Sequence, residues 1–199
     1  VSGIQQIAPD PSPFALLPPS SNPQTPSDLD PQYTWIGLFG GIDRRKEPRP
    51  LIEAVKQSGR SDLALLIVGR WSENQLRDLV IQDAAETNVT ICTVDEYVST
   101  QELRSYMQAV DYVAVLNRNE GSSGVFLAAC ALRKPVILGG SNSLRLDAGA
   151  TGCHWTGSSR KDLSNYLAAL DSDSQYPPNY RPSEDGHDVT DPFMEIIGR

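Results

Sequence analysis

The chain has 199 residues, which is enough for one compact domain with a full core and additional tails. With 39% hydrophobic and 21% charged residues, its composition is ordinary for a globular protein. A net charge of −8, without a long clustered run of Lys and Arg, argues against a nucleic-acid-binding protein. No apolar stretch approaches the length of a transmembrane segment.

Proline-rich segments flank the central part of the chain. Residues 1–32 contain eight of the fifteen prolines, a density that blocks helices and central strands. The chain begins at Val1 without a Met, and we interpret residues 1–32 as a linker from a missing N-terminal domain. The central domain is assigned to residues 33–170. Residues 171–199 are expected to form a second Pro-rich tail, with room for a terminal helix at 191–197.

Apolar runs of strand length alternate with helical patterns along the central domain. Strands are predicted at 33–39, 63–68, 89–94, 112–116 and 135–138, with a weaker strand at 152–155. Helices are predicted at 48–57, 72–86, 99–110, 124–132 and 160–170. Ser72-x-x-Gln75 and Ser99-x-x-Glu102 indicate capping boxes at two of these helices. The alternation predicts an α/β fold, a doubly wound Rossmann-like parallel sheet of about six strands with helices on both faces.

The most informative loop precedes the helix of small residues. In such sheets ligands bind beyond the carboxyl ends of the strands, and this loop reads Glu120-Gly121-Ser122-Ser123-Gly124. Backbone N–H groups at a helix start are unpaired and the helix dipole is positive there, which suits an anion. The loop therefore predicts a diphosphate site, with an ordinary Ser-capped helix as the alternative.

A second glycine-containing loop follows the first predicted strand. Gly40 and Gly41 precede Arg45 and Lys46. Glycine at a strand end permits close approach of a ligand, and a Lys nearby binds phosphate as a point charge. The loop matches neither GxxxxGK[ST] nor GxGxxG, so the ATPase loop and the dinucleotide fingerprint do not apply. Ordinary surface Arg and Lys side chains are the alternative interpretation.

The order of these motifs resembles the C-terminal domain of retaining glycosyltransferases with two Rossmann-like halves, the GT-B fold of the glycosyl transferases group 1 type. In that family a Gly-Arg…Lys loop follows the first strand, and the next strand ends in Val-Gly, matched here by Val68-Gly69. The family signature begins with Glu-Gly, matched by Glu120-Gly121, and ends in a Gly-x-Pro-Val turn. The resemblance covers roughly residues 33–170.

Three positions depart from the family pattern. Gly41 replaces the Arg that clamps the donor diphosphate together with the later Lys. Ala128 replaces the second Glu of the signature, which holds the ribose hydroxyls in the family, and Arg133 replaces the Gly before Lys-Pro-Val. Each lost charged contact would weaken donor binding, because a hydrogen bond to a charged group contributes about 1.5–3 kcal/mol.

The resemblance implies the donor-binding half of a glycosyltransferase that moves a hexose from a nucleotide-diphosphate sugar to a carbohydrate or lipid-linked acceptor. It assigns the diphosphate to Lys46 and the Ser122–Gly124 amides, with Arg45 or Arg44 in place of the missing Arg. It assigns the base to the loop at Gly69 and the sugar to Glu120 as the catalytic residue. No metal or other cofactor is implied. We expect a cytoplasmic protein, peripheral at the membrane through its missing half, and an inactive isolated fragment. The alternatives are a non-catalytic glycosyltransferase-like binding or scaffold module and, less favoured, a flavodoxin-like domain.

Several residues outside these loops have simpler interpretations. Cys92, Cys130 and Cys153 lie in apolar contexts without metal-binding spacing, and buried free thiols are expected. Trp71 is expected to fill a gap at the rim of the sheet rather than to stack on a base. Asp95-Glu96 is expected to form a solvated acidic turn rather than a contact to the base or sugar.

Overall fold

Five parallel strands form one sheet in a computed structural model that describes residues 29–170, apart from Ser122, Gly152 and Ser158. The strands are β1 (Thr34–Phe39), β2 (Leu63–Val68), β3 (Thr90–Val94), β4 (Tyr112–Val115) and β5 (Val136–Leu138). Their order is β3-β2-β1-β4-β5. The winding direction reverses between β1 and β4, which opens a crevice at their carboxyl ends. The predicted doubly wound α/β fold is confirmed.

Six helices cover the two faces of the sheet in the described part of the chain. They are α1 (Pro48–Gln57), α2 (Asn74–Thr87), α3 (Thr100–Ala109), α4 (Gly124–Ala131), α5 (Asn142–Thr151) and α6 (Arg160–Ala168). Helices α1, α2 and α6 share one hydrophobic core with the sheet, and α3, α4 and α5 share the other. The longest helix within residues 29–170 has 14 residues, short of the about 20 that a membrane-spanning helix needs.

Strand β2 shows why the sheet is buried on both faces. Its six residues are all buried, and they alternate between the two cores. Leu65 and Ile67 pack on the side of α1, whereas Leu66 and Val68 pack on the side of α4. A run of aliphatic residues without polar alternation is the sequence expected for a strand in this position.

Two regions differ from the predicted elements. The weak sixth strand is reduced to a single parallel bridge between Leu138 and Trp155. Helix α5 was not predicted, although Ser141 caps it through a hydrogen bond of 3.3 Å from Leu144 N to Ser141 Oγ. Leu144 and Ala148 are buried one turn apart on this helix. A Ser followed by apolar residues at a spacing of four was therefore the available signal.

Only one of the two predicted capping boxes forms. Ser99 Oγ accepts a hydrogen bond of 3.2 Å from Glu102 N, and Glu102 Oε2 accepts one of 2.6 Å from Ser99 N. The capping box at Ser72 is wrong, because α2 begins two residues later and its N-cap, Glu73, makes no side-chain cap. The Ser72 backbone N–H donates instead to Ile42 O at 2.9 Å. This bond ties the loop between β2 and α2 to the loop that follows β1.

We expect Ser99→Ala to lower the free energy of unfolding by about 1 kcal/mol, because it removes the acceptor for an amide at the start of α3. Ser72→Ala is the matched control, since the same exchange removes no helix cap there, and its effect should stay within about 0.5 kcal/mol. Urea denaturation of both variants measures the difference. Equal losses would contradict the assignment of the two caps.

Candidate functional site

Two glycines allow the carboxyl ends of β1 and β2 to approach each other. Gly69 has a φ of +142°, and a Cβ atom built on it would lie 2.0 Å from Gly40 O. Gly40 has a φ of +92°, and its N–H donates to Val68 O at 3.0 Å. No side chain fits at Gly69, so glycine is required for the strands to end side by side.

Lys46 lies above Gly40 at the edge of the crevice. Its Nζ atom is 3.6 Å from the position that a Cβ atom would occupy on Gly40, and Cγ2 of Val125 is at the same distance from that position. The amine of Lys46, the backbone of Gly40 and the first turn of α4 therefore converge. The sequence predicted this meeting of two loops that are about 80 positions apart.

A short turn fixes the backbone of Lys46. Residues Arg44–Lys46 form a 3₁₀ turn whose N-cap is Asp43. The Asp43 carboxylate accepts from Arg45 N at 2.8 Å, and Asp43 O accepts from Lys46 N at 3.2 Å. Glu47 then adopts a left-handed φ of +58°, after which Pro48 starts α1. The turn and the helix hold Lys46 between them.

The ammonium group of Lys46 is half-buried and available to a ligand. Burial lowers the pKa of Lys46, and the nearby Asp43 carboxylate offsets only part of that effect. Among the residues that the structure describes, none forms a hydrogen bond or ion pair with its side chain. A cation that has lost water without gaining a partner is stabilised by an anionic ligand.

The neighbouring arginines are already paired. Arg44 forms an ion pair of 3.1 Å with Glu73, and Arg45 pairs with Asp43. Both guanidinium groups are exposed at the surface. The assignment of Arg45 to the ligand stays a prediction, and Lys46 is the cation that the structure places against Gly40.

The start of α4 offers free backbone donors. Ser123 is the N-cap, and its buried hydroxyl accepts from Phe126 N at 3.3 Å. The amides of Gly124 and Val125 precede this bond and have no partner among the described residues. Apart from the adjoining backbone and chain neighbours, no described atom lies within 4 Å of the Cβ position of Gly121 or of Gly124, so the space beside the helix start is open. Ser122, assigned to the same site, lies outside the described residues.

Glu120 is held at the start of α5 rather than lying free. Its carboxylate accepts from Asn142 N at 3.2 Å, from Ser143 N at 2.8 Å and from Ser143 Oγ at 2.6 Å. Ser143 Oγ in turn accepts from Gly121 N at 3.0 Å. The Ser143 hydroxyl is the main reason that the pKa of Glu120 is lowered, followed by the two α5 amides. Sequence analysis missed these partners because it did not predict α5.

The three departures from the family pattern have different surroundings. Gly41 is exposed, and no atom lies within 4 Å of the Cβ position built on it. Ala128 lies on α4 and is buried in the core between this helix and the sheet. Arg133 has a left-handed φ of +53°, a conformation in which glycine is the favoured residue.

Two further sequence interpretations can be compared with the structure. Trp71 is 5% exposed and belongs to the core, which confirms its interpretation as a packing residue. In the expected acidic turn Glu96 is exposed, but Asp95 is held in place: it accepts from Trp71 N at 3.2 Å and pairs with Arg77 at 2.9 Å. The Trp71 amide is the largest cause that lowers the pKa of Asp95. Asp95 thus fastens the loop after β2 to the end of β3.

The sheet order defines a Rossmann-like domain, and glycines and a half-buried lysine line the crevice at the carboxyl ends of its strands. The family model described as "Glycosyl transferases group 1" matches residues 33–170, and the chain belongs to this family. The search of the curated proteins finds no match.

Similar solved structures agree with this membership. The C-terminal domain of a glycosyl transferase group 1 family protein (LpcC) from Francisella tularensis is 19% identical, with a TM-score of 0.67, covering 89% of this chain and 95% of that one. HepE from Anabaena, in complex with UDP and glucose, is 17% identical, with a TM-score of 0.63 and coverages of 84% and 44%. WaaG, a glycosyltransferase involved in lipopolysaccharide biosynthesis, is 21% identical, with a TM-score of 0.55 and coverages of 70% and 38%. The chain thus spans less than half the length of HepE and WaaG.

The hydrogen bonds at Glu120 predict a measurable dependence on Ser143. The stabilisation that this carboxylate provides is present above its ordinary pKa of 4.5 and is lost as the pH falls through the lowered folded-state pKa. We expect Ser143→Ala to raise the pKa of Glu120, because it removes the hydroxyl that donates to the carboxylate. NMR titration of the Glu120 side-chain carboxyl carbon measures the change.

Asn142→Ala is the matched control for that titration. Asn142 donates to Glu120 only through its backbone N–H in the described structure, and alanine keeps that group. The pKa of Glu120 should therefore stay close to that of the parent protein. A pKa that is insensitive to Ser143→Ala would contradict the observed geometry.

Proposed function

We propose that this chain is the donor-binding half of a glycosyltransferase that moves a hexose from a nucleotide-diphosphate sugar to a carbohydrate or lipid-linked acceptor. The observation that carries the proposal is the unpaired, half-buried amine of Lys46, held over Gly40 beside the first turn of α4. Lys46 and two amides that have no partner among the described residues converge there beside glycines, which suits a diphosphate.

The diphosphate would sit between Lys46 and the amides of Gly124 and Val125. Negative charge develops on the diphosphate as the bond to the sugar breaks. Donors that are already in place stabilise this charge without having to reorganise, and this is the main catalytic contribution we assign to the chain. Ser122 would add its amide to the same group of donors.

Glu120 would contact the sugar while it remains bonded to α5. A carboxylate accepts about four hydrogen bonds, and the described structure uses three of them. One acceptor position is left for a sugar hydroxyl. The bonds to α5 would fix the direction of that position, so Glu120 would orient the hexose relative to the diphosphate.

The nucleotide base would lie beyond β2 and β3, against the loop that begins at Gly69. The similar structure of HepE was solved with UDP and with UDP-glucose, so uridine nucleotides are the first candidates for the donor. Where the family pattern has a glutamate for the ribose, this chain offers the buried methyl group of Ala128. We therefore expect the donor to be held mainly through its diphosphate.

The acceptor and the second half of the cleft would come from another domain. The chain covers 44% of HepE, and residues 1–32 would connect the present domain to that second half. The isolated chain would bind the donor without transferring the sugar. The complete protein would act in the cytoplasm, with any membrane association supplied by the other domain.

A non-catalytic binding or scaffold module is the second candidate. Gly41 and Ala128 favour this candidate. They replace the arginine that contacts the donor diphosphate in the family and the glutamate that contacts the ribose. This alternative differs from the first in one measurable respect: a module that has lost its chemistry does not need to bind nucleotides.

Calorimetric titration of the full chain with UDP, GDP, ADP and UDP-glucose tests the proposal. We expect one nucleotide to bind, and Lys46→Met to weaken its binding about 10- to 100-fold, since a hydrogen bond to a charged group contributes about 1.5–3 kcal/mol. Methionine keeps most of the apolar stem of lysine and removes the charged amine with its N–H donors. The exposed Lys56 on α1 supplies the control, and Lys56→Met should leave the affinity unchanged. A folded chain that binds none of these ligands at millimolar concentration would favour the module.

The open space at Gly41 permits a gain-of-affinity test. Gly41→Arg introduces a second cation next to Gly40 without a clash, and we expect nucleotide affinity to rise about tenfold, equivalent to about 1.4 kcal/mol. The gain should shrink in high salt because the new charge is exposed. Gly41→Gln has a similar length without the charge and should give no such gain. Equal affinities for the two variants would argue against a diphosphate at this position.

A further inference from the structure

Cys130 and Cys153 meet in the structure although they lie far apart in the sequence. Cys130 is the penultimate residue of α4, and Cys153 follows the end of α5. Both thiols are reduced, Cys130 is buried and Cys153 is partly exposed. Cys92, the third cysteine, lies on β3 at the opposite edge of the sheet from β5.

A hydrogen bond joins the two thiols. Cys130 donates to the sulfur of Cys153, and the Thr151 side chain also hydrogen-bonds to Cys153. These bonds lower the pKa of Cys153 to about 7, whereas the bond to Cys153 and burial both raise the pKa of Cys130. A lowered pKa favours the thiolate of Cys153, which is the form that attacks a disulfide.

A small opening leads to this pair. It is lined by both cysteines together with Lys134, Pro135 and His154. Since Cys153 is the more exposed thiol, it is the one that an oxidant in solution reaches first. Cys130 lies behind it, in the position of a thiol that completes the exchange.

We propose that Cys130 and Cys153 form a reversible disulfide, with a low-molecular-weight disulfide such as oxidised glutathione as the oxidant. The Cys153 thiolate attacks the glutathione disulfide, and one glutathione thiolate leaves. Cys130 then attacks the Cys153 sulfur, the second glutathione leaves, and the proton of Cys130 passes to solvent or to that leaving thiolate. Two protein thiols are oxidised while one glutathione disulfide is reduced to two glutathione thiols. The two thiols interact and line the same small cavity, which places them in position to form an S–S bond of about 2.05 Å.

The disulfide would connect two helices whose other ends form the candidate site. Helix α4 starts at Gly124, and α5 starts where Glu120 and Ser143 are bonded. The cysteines lie at the far ends of both helices. The crosslink therefore restrains the relative movement of α4 and α5 from the side opposite to the site, and the inference stands whether or not a nucleotide binds there.

The test uses the full chain in buffers of defined reduced-to-oxidised glutathione ratio. We expect free thiols to fall from three to one per chain as the buffer becomes oxidising, and to return to three with dithiothreitol. Tryptic digestion without reduction should give a crosslink between the peptides 119–133 and 146–160, which carry Cys130 and Cys153. The melting temperature of the oxidised protein should rise by several degrees, since the bond restricts the unfolded chain.

Two variants separate this disulfide from other oxidation products. Cys92→Ser should keep the crosslink, with free thiols falling from two to none. Cys130→Ser should accumulate a glutathione adduct on the 146–160 peptide, because no second thiol completes the exchange. Three free thiols under oxidising conditions, a crosslink to Cys92, or a stable glutathione adduct on Cys153 in the unaltered chain would each overturn the proposal.

Discussion

The close approach of two strand ends is the constraint on which the candidate site depends. The carbonyl of Gly40 occupies the place that any side chain on Gly69 would need, so β1 and β2 can finish side by side only with glycine there. The chain after β1 must then turn away through the capped turn at Asp43, and this turn carries Lys46 back over Gly40. The loss of water around the Lys46 amine is a consequence of that packing. The close packing of the backbone at Gly40 and Gly69 thus leads to a partly desolvated cation, which an anionic ligand stabilises.

The part of the site formed by the loop between β4 and α4 depends on hydrogen bonds to the charged carboxylate of Glu120. The Glu120 carboxylate accepts from the first amides of α5, where the helix dipole favours negative charge, and Ser143 relays the contact to Gly121. The loop between β4 and α4 contains Gly121, whose surroundings are open and whose amide is held by Ser143. Its form near the start of α4 is therefore coupled to the ionisation of Glu120. The residue that the family resemblance assigns to the sugar is also the residue that shapes the loop.

Sequence patterns located the fold and the two loops because both follow from local rules. The aliphatic run of β2 and the proline-started α1 have the predicted bounds, since apolar length and the Pro at a helix start act within a few residues. The Ser72 cap failed because a long-range bridge between Ile42 and Trp71 holds that loop, and no local pattern reports such a bridge. The partners of Glu120 and the Cys130–Cys153 contact were missed for the same reason. Each joins segments that only the packing of α4 and α5 brings together.

The departures from the family pattern do not weigh equally on the proposed function. Gly41 is exposed, and the space around it is open, so its surroundings do not require glycine. A cation supplied by a ligand or by a partner domain could therefore occupy the place of the missing arginine. The methyl group of Ala128 is part of the core. A carboxylate at this position would lose its water, which costs free energy unless a bound ligand forms hydrogen bonds with it. Losing that carboxylate removes a contact to the ribose but also removes this desolvation cost. Under the proposed function, the chain would hold a diphosphate through Lys46 and the α4 amides without the family's arginine, and it would have exchanged a polar contact for packing where a ribose would bind. A donor site built in this way discriminates through its phosphate groups more than through its ribose, whichever nucleotide base the loop after β2 accepts.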